Sequence, residues 1–196
     1  MNAKEADGPA LPPLRLWWRA TDPDGVTALL GRLGCTVSDD GSVALGPVVL
    51  TVVAAQKGRL DGLEVGEALP GASHGPLHSG PVLAALGWAT IDAERLAAAL
   101  GKPLLGEVRD DPALGATAYG IATAMLPLVL LEPATEGRVA AALARLGEGP
   151  VALYLDGVRL RPGDDATPIG RTGTGREGRL LRPPRPWGPF IVVLEP

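Results

Sequence analysis

The stretch LRLWWRATDPDGVTALLG (14–31) is answered seventy residues later by AALGWATIDAERLAAALG (84–101), without a gap. Trp18 falls on Trp88, Asp22 on Asp92, Leu30 on Leu100 and Gly31 on Gly101. In each copy a run of β-prone residues meets a turn signal and then an apolar pattern at helical spacing, so each copy reads as a strand leading into a helix. In the first, Asp22-Pro23-Asp24-Gly25 makes the turn, Asp24 is the expected N-cap, and Val26, Leu29, Leu30 and Leu33 form the buried stripe. In the second, Asp92 caps the helix, Leu96 and Leu100 face one side, and Gly101 with Pro103 stops it. The repeat predicts an internal duplication.

Working outward from the first copy, residues 1–13 read as a flexible tail, small, polar and proline-rich. Thr36–Val43 and Val48–Val53 read as strands, which closes an N-terminal βαββ unit over 14–55. Residues 56–81 are rich in Gly, Pro and Ser and read as a long loop. The remainder, 82–196, holds strands at Val82–Ile91, Ala116–Thr123, Leu126–Leu131, Val151–Leu155 and Pro189–Leu194, with an amphipathic helix at Glu136–Leu146. LPLVLLEP (126–133) is echoed by PFIVVLEP (189–196). Between them Arg159–Arg185 is a Gly/Arg/Pro stretch with one expected strand at Arg179–Arg182. The whole is expected to be a single compact α+β domain.

Composition narrows the function. The chain has 196 residues, 46% hydrophobic and 20% charged, a globular balance. Four Trp, two Tyr and one Phe leave the core to aliphatic side chains. A net charge of −4 argues against a nucleic-acid partner, which needs a basic stripe. Cys35 is the single cysteine, so neither an internal disulfide nor a cysteine-rich zinc site is available, and a reducing, cytoplasmic setting is expected. The N-terminus lacks a signal-peptide pattern, and no apolar run reaches the roughly 20 residues of a membrane span, so no membrane partner is expected.

The order LGWATID, then Leu130-Leu131-Glu132-Pro133, then Glu136–Leu146, then Gly147-Glu148-Gly149 resembles the vicinal oxygen chelate superfamily, the glyoxalase-like and methylmalonyl-CoA-epimerase-like proteins, over about a third of the chain. The resemblance implies paired βαβββ-type units forming curled mixed sheets around a cavity. It also implies a divalent metal held by His, Gln or Glu. Here those positions fall on Ala85, Val129, the pair Val151 and Ala152, and Val192 or Val193. Alanine and valine offer no lone pair, so the resemblance implies a divergent member without the usual metal site and with no cofactor.

Candidate ligand-binding residues are Arg15, Trp17 and Arg19, which alternation places on one strand face, together with Trp88 and Tyr154. Two guanidiniums around an indole suit a small, partly apolar anion. The competing reading turns Leu16 and Trp18 inward and leaves that trio outside. Relocated metal ligands would be Glu132, Glu195, His74 and His78, although each has a plainer role as a turn, cap or loop residue. GRTGTGREGR (170–179) could cradle an anion but matches no phosphate-loop pattern, so a solvated loop is the plainer reading. Three functions follow: a metal-free binder of a small organic molecule; a metal-dependent lyase, isomerase or dioxygenase with relocated ligands; or a protein-interaction module with a filled cavity, including a homodimer. Whether the chain is an enzyme stays open at this stage.

Overall fold

The computed structural model describes residues 14–65, 80–182 and 188–196. The first unit runs β1 (Leu14–Ala20), α1 (Pro23–Arg32), β2 (Thr36–Val37), β3 (Ser42–Leu45) and β4 (Val48–Ala54), followed by β5 (Arg59–Val65). β1 lies parallel to β4, and the sheet order is β2-β3-β4-β1-β5. Parallel neighbours need a crossover connection, which α1 begins. Pro23 suits the first helical turn, and the Asp22 carboxylate accepts the Gly25 N–H at 3.0 Å, so the cap is Asp22 and not the expected Asp24. The expected strand Thr36–Val43 is split in two: Asp40 accepts the Ser42 N–H at 2.9 Å and turns the chain back as a hairpin. β5 lies inside the stretch expected to be a loop. Its pairing with β1 breaks register between Leu16 and Trp17, opposite Gly62.

The second unit repeats this topology. It runs β6 (Val82–Ala89), α2 (Ala93–Ala99), β7 (Leu105–Asp111), β8 (Ala116–Ile121) and β9 (Leu128–Pro133), with β6 parallel to β9. After α3 (Arg138–Leu146), a third set follows: β10 (Gly149–Asp156), β11 (Gly170–Arg171), β12 (Glu177–Leu181) and β13 (Phe190–Leu194), with β10 parallel to β13. Together they make one eight-stranded sheet, β11-β12-β13-β10-β6-β9-β8-β7, joined at the centre by antiparallel β10 and β6. The strand order of a βαβββ unit thus occurs three times, and the third set has coil where the others have a helix. The two sequence echoes occupy equivalent places: Trp18 and Trp88 in first strands, and the LEP endings in or just after last strands.

Two cores result. One lies between the sheets and includes Leu16 and Trp18 of β1, Leu30 of α1, Leu50 of β4, Leu86 of β6 and Leu153 of β10, all fully buried. Val158, Leu160 and Ala166, from the coil that stands in for the third helix, pack into it. Arg32 of α1 reaches Asp164 of the same coil at 3.2 Å. α2 contributes Ala93 and Ala97, with the expected Leu96 partly buried against the same core, and leaves the expected Leu100 exposed. The other core lines the concave side of the eight-stranded sheet, where α3 inserts Val139 and Ala142. No helix among the described residues is long and apolar enough to cross a membrane.

Candidate functional site

The concave face is built from alternate residues of five strands: Ala85 of β6, Ala118 of β8, Val129 of β9, Ala152 and Tyr154 of β10, and Val192 of β13. Pairing sets Ala85 and Val192 on either side of Tyr154, and Gly87 between Val129 and Ala152. Gly87 has no side chain for a steric reason. A Cβ there would meet Ala152 at 2.8 Å, Leu131 at 3.0 Å and the Tyr154 ring at 3.1 Å. The positions at which the family resemblance puts metal ligands therefore do converge on one surface, and that surface is aliphatic. Val193 is the exception, since it faces the inter-sheet core. These side chains do not fit a divalent cation, which wants nitrogen, sulfur or oxygen donors.

Part of this face is already covered. The tight loop between β11 and β12 enters the curl, and Gly173 stands so close to Ala118 and Val129 that a Cβ would lie 2.8 Å from each. Asp111, at the end of β7, pins the loop. Its Oδ2 accepts the Tyr154 hydroxyl at 2.9 Å and the Gly173 N–H at 2.8 Å, and its Oδ1 accepts the Leu114 N–H at 3.1 Å. Asp111 and Tyr154 are fully buried. Burial pushes the Asp111 carboxyl above its ordinary value against the pull of its three donors, and burial beside that carboxylate pushes the Tyr154 phenol up as well.

The curl is thus divided. α3 closes the end where β6 and β9 finish, and the Gly173 loop crosses the middle. The other end holds a pocket of about 460 Å³. Its aliphatic lining includes Ala84, Ala85, Ile121, Leu128, Val129 and Leu194, and its polar members are Arg109, Thr123, Thr174 and Arg176. Arg176 is spoken for: it binds Asp156 at 2.5 and 3.3 Å and the Glu195 carbonyl at 2.7 Å, and the pairing lowers the Asp156 pKa. Thr123 exchanges hydrogen bonds with the Leu126 backbone. Arg109 donates to the Thr174 carbonyl at 3.4 Å, across the seam where β7 meets the β11–β12 loop.

Of the candidates read from sequence, Arg15, Trp17 and Arg19 do share a face of β1. It is the face turned away from the inter-sheet core, with Arg15 and Trp17 half-buried and Arg19 exposed. Leu16 and Trp18 point inward, the more apolar alternation. Arg19 pairs with Asp61, and Trp17 packs over Gly62. Trp88 faces the inter-sheet core and lines a cleft with Arg59–Gly62 and the start of β10, remote from the concave face. Its indole nitrogen and the Arg15 Nε are buried with no hydrogen-bond partner among the described residues. Tyr154 is on the concave face, but its hydroxyl is closed off by Asp111.

Glu132 accepts the Ala93 N–H at 2.6 Å and the Tyr119 hydroxyl at 3.2 Å, so it caps α2. Glu195 pairs with Arg179 at 2.7 Å. His74 and His78 lie outside the described residues. Among the described residues no group of three or more His, Cys, Asp or Glu is arranged to hold a metal ion. Cys35 is buried, and its thiol is pushed up to about 11 by desolvation, the opposite of an activated nucleophile. Sequence reasoning missed β7, and with it Arg109 and Asp111. It placed Gly173 and Arg176 in a solvated loop. The segment LGEVRDD alternates poorly, and Val108 is exposed, so nothing in it signals a strand.

No family model matches the chain, and no curated protein does. Solved structures resemble it in part. A hypothetical protein from Bacillus halodurans is 18% identical over 59% of this chain and 96% of its own, with a TM-score of 0.45. Methylmalonyl-CoA epimerase from Mycobacterium tuberculosis is 17% identical over 57% of this chain and 86% of its own, with a TM-score of 0.43. A Mn(II)-bound glyoxalase from Novosphingobium aromaticivorans is 13% identical over 94% of this chain and 82% of its own, with a TM-score of 0.37. The paired βαβββ-type architecture itself rests on the strand orders given above.

Proposed function

We propose that this chain, folded as a divergent protein of the vicinal oxygen chelate type, binds a small organic molecule without a metal ion, in the pocket at the open end of its curled sheet. One observation carries the reading: the pocket of about 460 Å³ has an aliphatic floor and a guanidinium at its rim, whereas the family's metal positions hold Ala85, Val129, Ala152 and Val192. A mostly apolar concavity with few convergent polar groups is the usual form of a small-molecule site. The pocket takes over the role that the sequence suggested for Arg15, Trp17 and Arg19. A thermal-shift screen of small organic acids and their neutral analogues, run with and without EDTA, tests it. Ligand-dependent stabilisation unaffected by EDTA is expected, and loss of stability in EDTA would overturn the metal-free part.

A second reading is favoured by the Gly173 loop, which fills the middle of the curl as a protein-interaction module with an occupied cavity would require. Light scattering for a homodimer, together with a blank ligand screen, is its signature. Metal-dependent lyase, isomerase or dioxygenase chemistry through relocated ligands is the least supported, because Glu132 and Glu195 already serve as a cap and an ion-pair partner. Stoichiometric metal in elemental analysis of the purified protein would restore it.

A further inference from the structure

We infer that the pocket selects an organic anion with a single carboxylate on a short apolar body, and that Arg109 is the group that recognises it. The inference rests on the reading of the pocket as a small-molecule site. Among the described residues, Arg109 has no carboxylate within ion-pair distance, and its one hydrogen bond is the long contact to the Thr174 carbonyl. A guanidinium stays protonated and carries five N–H donors in a planar fork, so most of its capacity is unspent. The second cation of the pocket is neutralised by Asp156, and no Asp or Glu lines the pocket. Arg109 also lines a cleft on the other side of the seam, with Glu107, Asp110, Arg171 and Glu177, and none of those three acids comes within ion-pair distance of it. The site thus presents one guanidinium with no direct ion-pair partner beside an aliphatic floor. One carboxylate matches that charge and can take two parallel N–H bonds from the fork. A phosphate dianion would bring a second charge with nothing to meet it. The remaining floor, Ala84, Ala85 and Leu128 among it, suits a hydrocarbon body and leaves hydroxyl-rich ligands without partners.

The test is isothermal titration calorimetry on the full chain with benzoate, octanoate, their neutral amides and phenyl phosphate. Each carboxylate is expected to bind at least tenfold more tightly than its amide. Arg109→Gln is expected to erase that preference, bringing carboxylate and amide affinities together, and Arg109→Lys to retain only part of it. Ala84→Phe fills the pocket but keeps Arg109, so it is expected to abolish binding of every probe. Thermal melts of each variant show that it is folded. If carboxylate and amide bind equally, the anion inference falls and the pocket reading stands. If phenyl phosphate outbinds benzoate, the single-charge argument is overturned. If no probe binds, the pocket reading itself fails. Carboxylate binding that survives Ala84→Phe would move the site elsewhere and refute both.

Discussion

Replacing Asp111 by alanine removes the acceptor that three buried donors share: the Tyr154 hydroxyl and the Gly173 and Leu114 amides. Each buried donor left unpaired costs about 1–3 kcal/mol. Against that, the variant no longer buries a carboxylate whose charged form is disfavoured there, as its raised pKa shows. The expected net loss is about 3–4 kcal/mol, within the range for breaking a buried polar network. Tyr154→Phe takes away one of the three bonds and is expected to cost about 1–2 kcal/mol. The two changes share a contact, so the double variant should lose less than the sum, with a coupling of about 1–2 kcal/mol. Urea unfolding at pH 7, fitted as a two-state transition, supplies all four stabilities. The sign of the pH dependence adds a further constraint. A folded-state pKa above the unfolded value means that the folded chain holds the proton more tightly, so the contribution of Asp111 is greatest at acid pH and declines as pH rises through the raised value. The deficit of Asp111→Asn, which cannot titrate, should therefore grow as pH falls through that raised value. A loss below about 1 kcal/mol for Asp111→Ala, or no coupling to Tyr154, would refute the account of the loop as pinned by this carboxylate.

Gly173→Ala puts a methyl 2.8 Å from both Ala118 and Val129 and should cost about 1–3 kcal/mol, with faster amide exchange at residues 172–176 by hydrogen-exchange mass spectrometry. Glu148 binds the Thr90 hydroxyl, the Ile91 N–H and Arg95, and these hydrogen bonds hold its pKa down at about 2. Its contribution is present above the ordinary value of 4.5 and lost as pH falls towards 2, so Glu148→Gln should be less stable at pH 7 and show a shallower decline between pH 4.5 and 2 in denaturant titrations. Glu132→Ala leaves the Ala93 N–H at the start of α2 without its acceptor while the Asp92 cap stays, and is expected to lose about 1 kcal/mol of stability without changing the metal content found by elemental analysis.

The parts of the fold legible in the sequence were those with local signatures. Trp18 and Trp88, each followed by an Asp that accepts an amide three residues on, mark two first strands and two helix starts. The aliphatic residues at the resemblance's ligand positions could be read directly, and they do gather on one surface. What escaped was made by distance in the chain. Asp111 is an ordinary turn acid until Tyr154 and Gly173, 43 and 62 residues later, are brought to it. β5 and β7 are hidden for another reason: each is charged and holds a positive-φ glycine, Gly62 or Gly106, so neither shows an uninterrupted alternation. The β11–β12 loop read as solvated because it is rich in glycine and arginine. Those glycines allow backbone to touch the sheet, and the arginines hold the loop's flanks through Asp156 and Glu195.

The loop at Gly173 behaves like a stopper in the neck of a vessel, and the capacity of the vessel depends on how far the stopper descends. The stopper is the turn between β11 and β12 at one edge of the sheet, and the wall it presses on comes from β8 and β9. Each residue added to or removed from 172–176 would shift the tip by at most about 1.7 Å, half the rise of an extended residue, because the chain must go out and return. A chamber walled by sheet alone can be resized only by substitutions that also disturb the packing behind them. This one could be enlarged or emptied from outside, so close relatives that differ only in this loop are expected to accept ligands of different length.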